Sequence, residues 1–228
     1  MQIFEEQNGL KTWIEAFSII DFISVGILLT AVTLNAFKSI ESYVKAYTIN
    51  SWLLSSLIAV VAVLVGETHL YVAALLTLAT KGILIPLFLR RIVRQMRVTH
   101  EVVPYISNSL SLAISGILVA VVYASLKEGI FVTGFSRNVL QISIAVILIS
   151  LFIMITRKKA LTLVMGLLFM ENGLFLAGFS LTFGMPTIIE LGVLFDMLMG
   201  VIILGIFAVQ IKRAFASADL DKLTVLKG

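Results

Sequence analysis

Residues 160–183, ALTLVMGLLFMENGLFLAGFSLTF, read as a membrane-spanning helix. It is apolar on every side and long enough to cross the roughly 30 Å hydrocarbon core of a bilayer at about 1.5 Å per residue. Yet Glu171 stands at its middle. A glutamate stem there is too short to reach the interface, so the carboxylate must face protein, water or a counter-charge. An ionisable group at that depth costs about 3 kcal/mol on insertion scales, which makes it a functional-site candidate by default. A buried structural hydrogen bond is the alternative.

Two other spans share the pattern. LYVAALLTLATKGILIPLFL, residues 70–89, carries Lys81 at mid-span, followed by Gly82 and Pro86. Proline lacks the helical N–H and clashes with the preceding turn. A kink is therefore expected beside the lysine, with freed carbonyls in need of a polar lining. TIIELGVLFDMLMGVIILGIFAVQI, residues 187–211, carries Asp196 between Gly192 and Gly200. Residues four apart share a helix face, so another helix or a water can reach this acid. Glu190 lies near the expected outer end of the same span, about 9 Å from Asp196 along the axis. For Lys81 and Asp196 the competing role is plain helix–helix pairing.

Composition agrees with a membrane chain. The 228 residues are 60% hydrophobic and 13% charged, against about 45–50% and about 25% in soluble domains. The expected fold is an all-α polytopic membrane protein of about seven transmembrane helices, roughly 17–37, 48–66, 70–89, 106–126, 138–156, 160–183 and 187–211. KSIESYVKAY, after the first span, is expected along the interface. The N-terminal MQIFEEQNGLKTW carries acids rather than a basic region and is expected to be a retained tail. Continuous apolar runs exclude the alternation of an outer-membrane barrel.

Lys and Arg set the orientation. With the C-terminus cytoplasmic and the N-terminus outside, the inner loops and tail hold thirteen of the 17 basic residues, from Lys38 to Lys227. Lys11, Lys127 and Arg137 fall outside, and Lys81 lies in the membrane. The net charge of +4 thus belongs to membrane loops and does not point to nucleic acid.

Other chemistry is sparse. Cysteine is absent, which rules out thiolate clusters and disulfides within the chain. His69 and His100 lie in loops on opposite expected sides and cannot share a metal. No phosphate-binding glycine motif and no nucleophile–base pair is present. No catalytic, cofactor-binding or metal-binding residue is assigned.

The order of the last three helices carries a resemblance. An apolar helix, the basic break Arg157-Lys158-Lys159, a helix with a central acid, a second acidic helix and a mixed-charge tail resemble the NuoK subunit of complex I. They also resemble the small subunit of Mrp-type cation/proton antiporters. The whole chain, with MENGLFLAG and the Lys81-to-Pro86 segment, more closely resembles HyfE, component E of hydrogenase-4-type complexes. The NuoK pattern places a glycine four residues after its second acid, as Gly200 follows Asp196. Its first acid precedes an asparagine by four residues; the matching position before Asn172 is Leu168, and Glu171 stands three residues on, on nearly the same face.

The resemblance implies an N-terminal four-helix region (1–135), a NuoK-like three-helix unit (136–211) and a cytoplasmic tail (212–228). It implies a non-catalytic subunit of an oxidoreductase complex of the hydrogenase-4 or formate hydrogenlyase type, in a prokaryotic inner membrane. Nickel–iron and iron–sulfur centres would lie in partner subunits. Those partners would include antiporter-like and NuoH-like membrane subunits and peripheral hydrogenase or electron-transfer subunits. Lys81, Glu171, Asp196 and Glu190 would form a proton relay. The competing functions are a small subunit of a multi-chain cation/proton antiporter and a structural assembly subunit.

Overall fold

The structure is a computed structural model that describes residues 2–95, 105–126 and 137–182, together with Gly192 and Gly200. The chain divides into two compact units, Met1–Glu190 and Leu191–Gly228. The fold described below is that of the first unit.

Among the described residues every regular element is a helix and none is a strand. Helix α1 spans Gln2–Thr33, α2 Ile40–Val65, α3 Thr68–Thr77, α4 Ile85–Gln95, α5 Asn108–Ser125, α6 Arg137–Thr156 and α7 Ala160–Thr182. A π-helical segment, Leu78–Leu84, joins α3 to α4 in one continuous rod. Among the described residues five helices are long and apolar enough to cross a membrane: α2, the rod Thr68–Arg91, α5, α6 and Leu161–Leu181 of α7. Phe17–Thr33, within α1, is apolar but shorter. These match the second to sixth expected spans, and the first in part. The seventh, 187–211, lies outside the described residues, so a count of seven is not established.

Helix α2 begins earlier than the composition of its first turns suggests. Ser39 caps it, its side chain accepting from the Ser42 backbone N–H at 3.2 Å, which satisfies one of the orphan donors of the first turn. Ile40, Tyr43, Val44 and Tyr47 are buried. Their spacing is that of one helix face. The segment expected to lie along the interface is thus the first two turns of α2. At the other end Gly66 adopts φ 74° and returns its N–H to the Ala62 carbonyl, a left-handed cap that glycine takes without a Cβ penalty.

Helix α2 is the hub, touching α1, α3, the π segment, α4 and α7; α6 in turn touches α1, α5 and α7. The α6–α7 seam is built from small residues two turns apart on each helix. A Cβ on Gly166 would stand 2.6 Å from the Met154 side chain and 3.2 Å from the Ser150 carbonyl oxygen. One on Gly173 would stand 2.9 Å from Ile147 and 3.2 Å from the Ser143 carbonyl oxygen. Close backbone approach of this kind is how helices gain contact where lipid supplies no hydrophobic drive.

Candidate functional site

The rod of α3, π segment and α4 positions Lys81. Pro86 has no N–H to give to Gly82, four residues back. The helix widens ahead of it: the N–H of Ile85 reaches the carbonyl of Thr80, five residues back. The Gly82 carbonyl oxygen instead accepts the indole N–H of Trp52 from α2, at 3.0 Å. The expected kink is therefore a π-helical widening, with its freed carbonyl satisfied across the helix pair. Gly82 is what lets the indole in, since a Cβ there would lie 2.8 Å from the Trp52 ring. Widenings of this type recur at functional sites.

Lys81 sits inside this segment and is 1% exposed. Its Nζ lies 3.0 Å from Glu171 Oε1 of α7, and Glu171 is 5% exposed. Phe175, one turn after Glu171, puts its ring centroid 5.5 Å from the same Nζ. The ammonium thus meets a carboxylate and an aromatic face from one side of α7, both of which favour a cation.

A second polar group starts one residue on. Asn172 Nδ2 donates to Asn50 Oδ1 at 2.9 Å and to Ser51 Oγ at 3.2 Å, both on α2. Asn50 Nδ2 donates in turn to Thr30 Oγ1 at 2.7 Å and to the Ile27 carbonyl at 3.1 Å, both on α1. Asn50, Ser51 and Asn172 are fully buried. Three helices are therefore tied by amides at the level of the ion pair, while Ser55 of α2 donates to the Ala74 carbonyl of α3 at 2.8 Å.

A third buried group lies where α6 ends. Arg157 is 2% exposed. One terminal nitrogen donates to Asn108 Oδ1 at 3.4 Å, and the other to the Asn35 carbonyl at 3.3 Å. Asn35 itself donates to Ser115 of α5 at 2.9 Å. This arginine, expected as a loop cation, joins the ends of α1 and α6 to the start of α5.

Of the four expected site residues, the structure brings together Lys81 and Glu171. Asp196 and Glu190 lie outside the described residues. Asn50, Ser51, Thr30 and the buried role of Arg157 were not anticipated. His69, expected in a loop, instead lies in the first turn of α3, its Nδ1 3.5 Å from Glu67, the residue that precedes the helix; His100 lies outside the described residues. Among the described residues no three His, Cys, Asp or Glu side chains gather as a metal site would require.

The chain is similar to hydrogenase-4 component E. It is 24% identical to that protein of Escherichia coli over 206 residues, covering 88% of this chain and 94% of the relative. The same identity and coverage hold for hydrogenase-4 component E of Shigella flexneri. It is 29% identical over 214 residues to the uncharacterized protein Rv0085 of Mycobacterium tuberculosis, covering 92% of this chain and 97% of that one. No family model matches, and no solved structure gives a significant match.

Proposed function

We propose that this chain is an integral membrane subunit of a complex I-related redox complex of the hydrogenase-4 type, and that it carries part of a lateral proton path. The observation that supports this reading is the buried Lys81–Glu171 pair, with 3.0 Å between Nζ and Oε1. A lysine and a glutamate in contact have two arrangements of equal net charge: ammonium with carboxylate, and amine with carboxylic acid. A proton passes between them without leaving a bare charge in the hydrocarbon, the condition that a relay at this depth must meet. Similarity over nearly the full length of hydrogenase-4 component E supports a place in a multi-subunit assembly. Its nickel–iron and iron–sulfur centres would belong to other chains. Antiporter-like and NuoH-like subunits would flank this one, with peripheral hydrogenase subunits beyond.

In this reading Asp196 takes the proton onward from the Lys81–Glu171 pair, and Glu190 serves the outer end. The chain itself performs no redox chemistry. The test is Glu171→Gln in the assembled complex, which keeps shape and hydrogen-bonding capacity but cannot ionise. Assembly should persist while coupled proton transfer falls strongly. Asp196→Asn should act alike, and Glu190→Gln should do less. Normal assembly with wild-type proton transfer in Glu171→Gln would remove the relay role and leave the pair as a clamp between α7 and the π segment.

A further inference from the structure

The clearest unassigned site is a cavity of about 270 Å³ between α2 and α4, lined by Glu41, Val44, Lys45, Arg90, Val93 and Arg94. Its floor is apolar, with Val44 and Val93 buried, and its four charged residues are exposed. Three of the four are cations. Glu41 and Lys45 stand one turn apart on α2, as Arg90 and Arg94 do on α4, so each pair shares a face. Among the described residues none of the four makes an ion pair within 4.0 Å. The excess positive charge is therefore not neutralised within the described part of the chain.

Depth narrows the ligand class. Arg90 lies nine residues beyond Lys81 along one rod, about 13 Å at helical rise. That distance carries the guanidinium from mid-span to the edge of a hydrocarbon core about 30 Å thick. The cavity thus opens at headgroup level. Ile49 and Trp52 lie one and two turns further into the span on the same face of α2 as Lys45, and both are exposed. An apolar strip leads from the cationic mouth into the membrane.

We propose that this cavity binds the phosphodiester headgroup of an anionic membrane phospholipid, with an acyl chain lying over Ile49 and Trp52. Arg90 and Arg94 present planar donors to phosphate oxygens. Lys45 adds a third cation, and Val44 and Val93 receive the glycerol backbone. A soluble phosphate would use the same cations but would gain nothing from the valine floor or the apolar strip. The inference is independent of the proton-path reading.

The test measures lipid bound to the full chain extracted in a neutral detergent, titrated with phosphatidylglycerol, phosphatidylcholine and inorganic phosphate. Phosphatidylglycerol should bind best. Basic residues at a membrane surface contribute roughly fivefold each in affinity, so Arg90→Gln with Arg94→Gln should weaken it by roughly 25-fold. Arg91→Gln removes the same charge from the same helix. Arg91 lines a separate surface with Ala79, Ile83, Leu84, Leu87 and Phe88, so it should leave binding unchanged. Should the double variant fail to fold, Lys45→Gln carries the test, with an expected loss of roughly fivefold. Equal binding of phosphatidylcholine, an equal loss in Arg91→Gln, or undiminished binding in Lys45→Gln would overturn the proposal. Inorganic phosphate binding as tightly as phosphatidylglycerol would overturn it in favour of a soluble anion.

Discussion

The Trp52 indole N–H donates, at 3.0 Å, to the Gly82 carbonyl that Pro86 leaves without its helical donor. A proline in one helix is thus answered by a tryptophan in another, and the lysine between them keeps its place. Unsatisfied backbone in hydrocarbon costs several kcal/mol, so the pairing bears directly on how Lys81 is held. Replacing Trp52 with Phe keeps the ring but removes the donor. The expected loss is about 1–3 kcal/mol in the unfolding free energy of the detergent-solubilised chain.

Gly82→Ala probes the same contact from the other side. The added Cβ would stand 2.8 Å from Trp52 and 3.2 Å from Leu78, so the indole must move. Overpacking of this sort costs about 1–3 kcal/mol. With Trp13→Phe as background, the emission of the remaining tryptophan should shift. Emission unchanged from the background protein would mean that the indole is not seated against Gly82.

Stability and proton transfer should separate at the ion pair. Lys81→Met alone, or Glu171→Leu alone, takes from a buried charge the opposite charge it meets at 3.0 Å and should cost about 3–5 kcal/mol. The double variant removes both charges and should recover most of that loss. It should assemble yet fail to support proton transfer. A double variant that restored both would assign the pair to packing alone.

The asparagine chain makes a different prediction. Asn172→Ala leaves Asn50 Oδ1 without the amide N–H that meets it at 2.9 Å and should destabilise the chain by about 1–3 kcal/mol. Asn50→Ala should cost as much, since it faces both Asn172 and Thr30. Because the two share one hydrogen bond, their effects should be less than additive in thermal unfolding.

Lys81 and Glu171 are legible as buried, partnered charges because an ionisable residue at the centre of an apolar span cannot be left facing lipid. Opposite signs at like depth also made a pair the natural arrangement. The likeness read from MENGLFLAG and the Lys81-to-Pro86 segment agrees with the similarity to hydrogenase-4 component E. Asn50 is not legible as a buried group because the continuous apolar run of the second span begins at about residue 48, which places the asparagine at a helix end. The helix starts at Ile40, which puts Asn50 about 15 Å along it. The clue was present in Ile40, Tyr43, Val44 and Tyr47, whose spacing continues one helix face. Arg157 gave no such clue. A buried arginine after a span has the same local sequence as a solvated one, and its acceptor is the carbonyl of Asn35, far away in the chain. The π segment was half legible: Pro86 signals a distortion, but its form depends on a donor that only the fold supplies.

The small-residue seam has a mechanical consequence. Gly166 and Gly173 of α7 engage the carbonyls of Ser150 and Ser143 of α6, and seven residues are close to two full turns. The contact works as a spline that keys the two helices against rotation about their long axes. Glu171 lies two positions from Gly173, about 200° around the helix, and so on the side away from the key. The azimuth of its carboxylate is therefore set by α6 and not by the lysine it meets. If the distance between the two charges changes, the compliant member is the widened turn that carries Lys81.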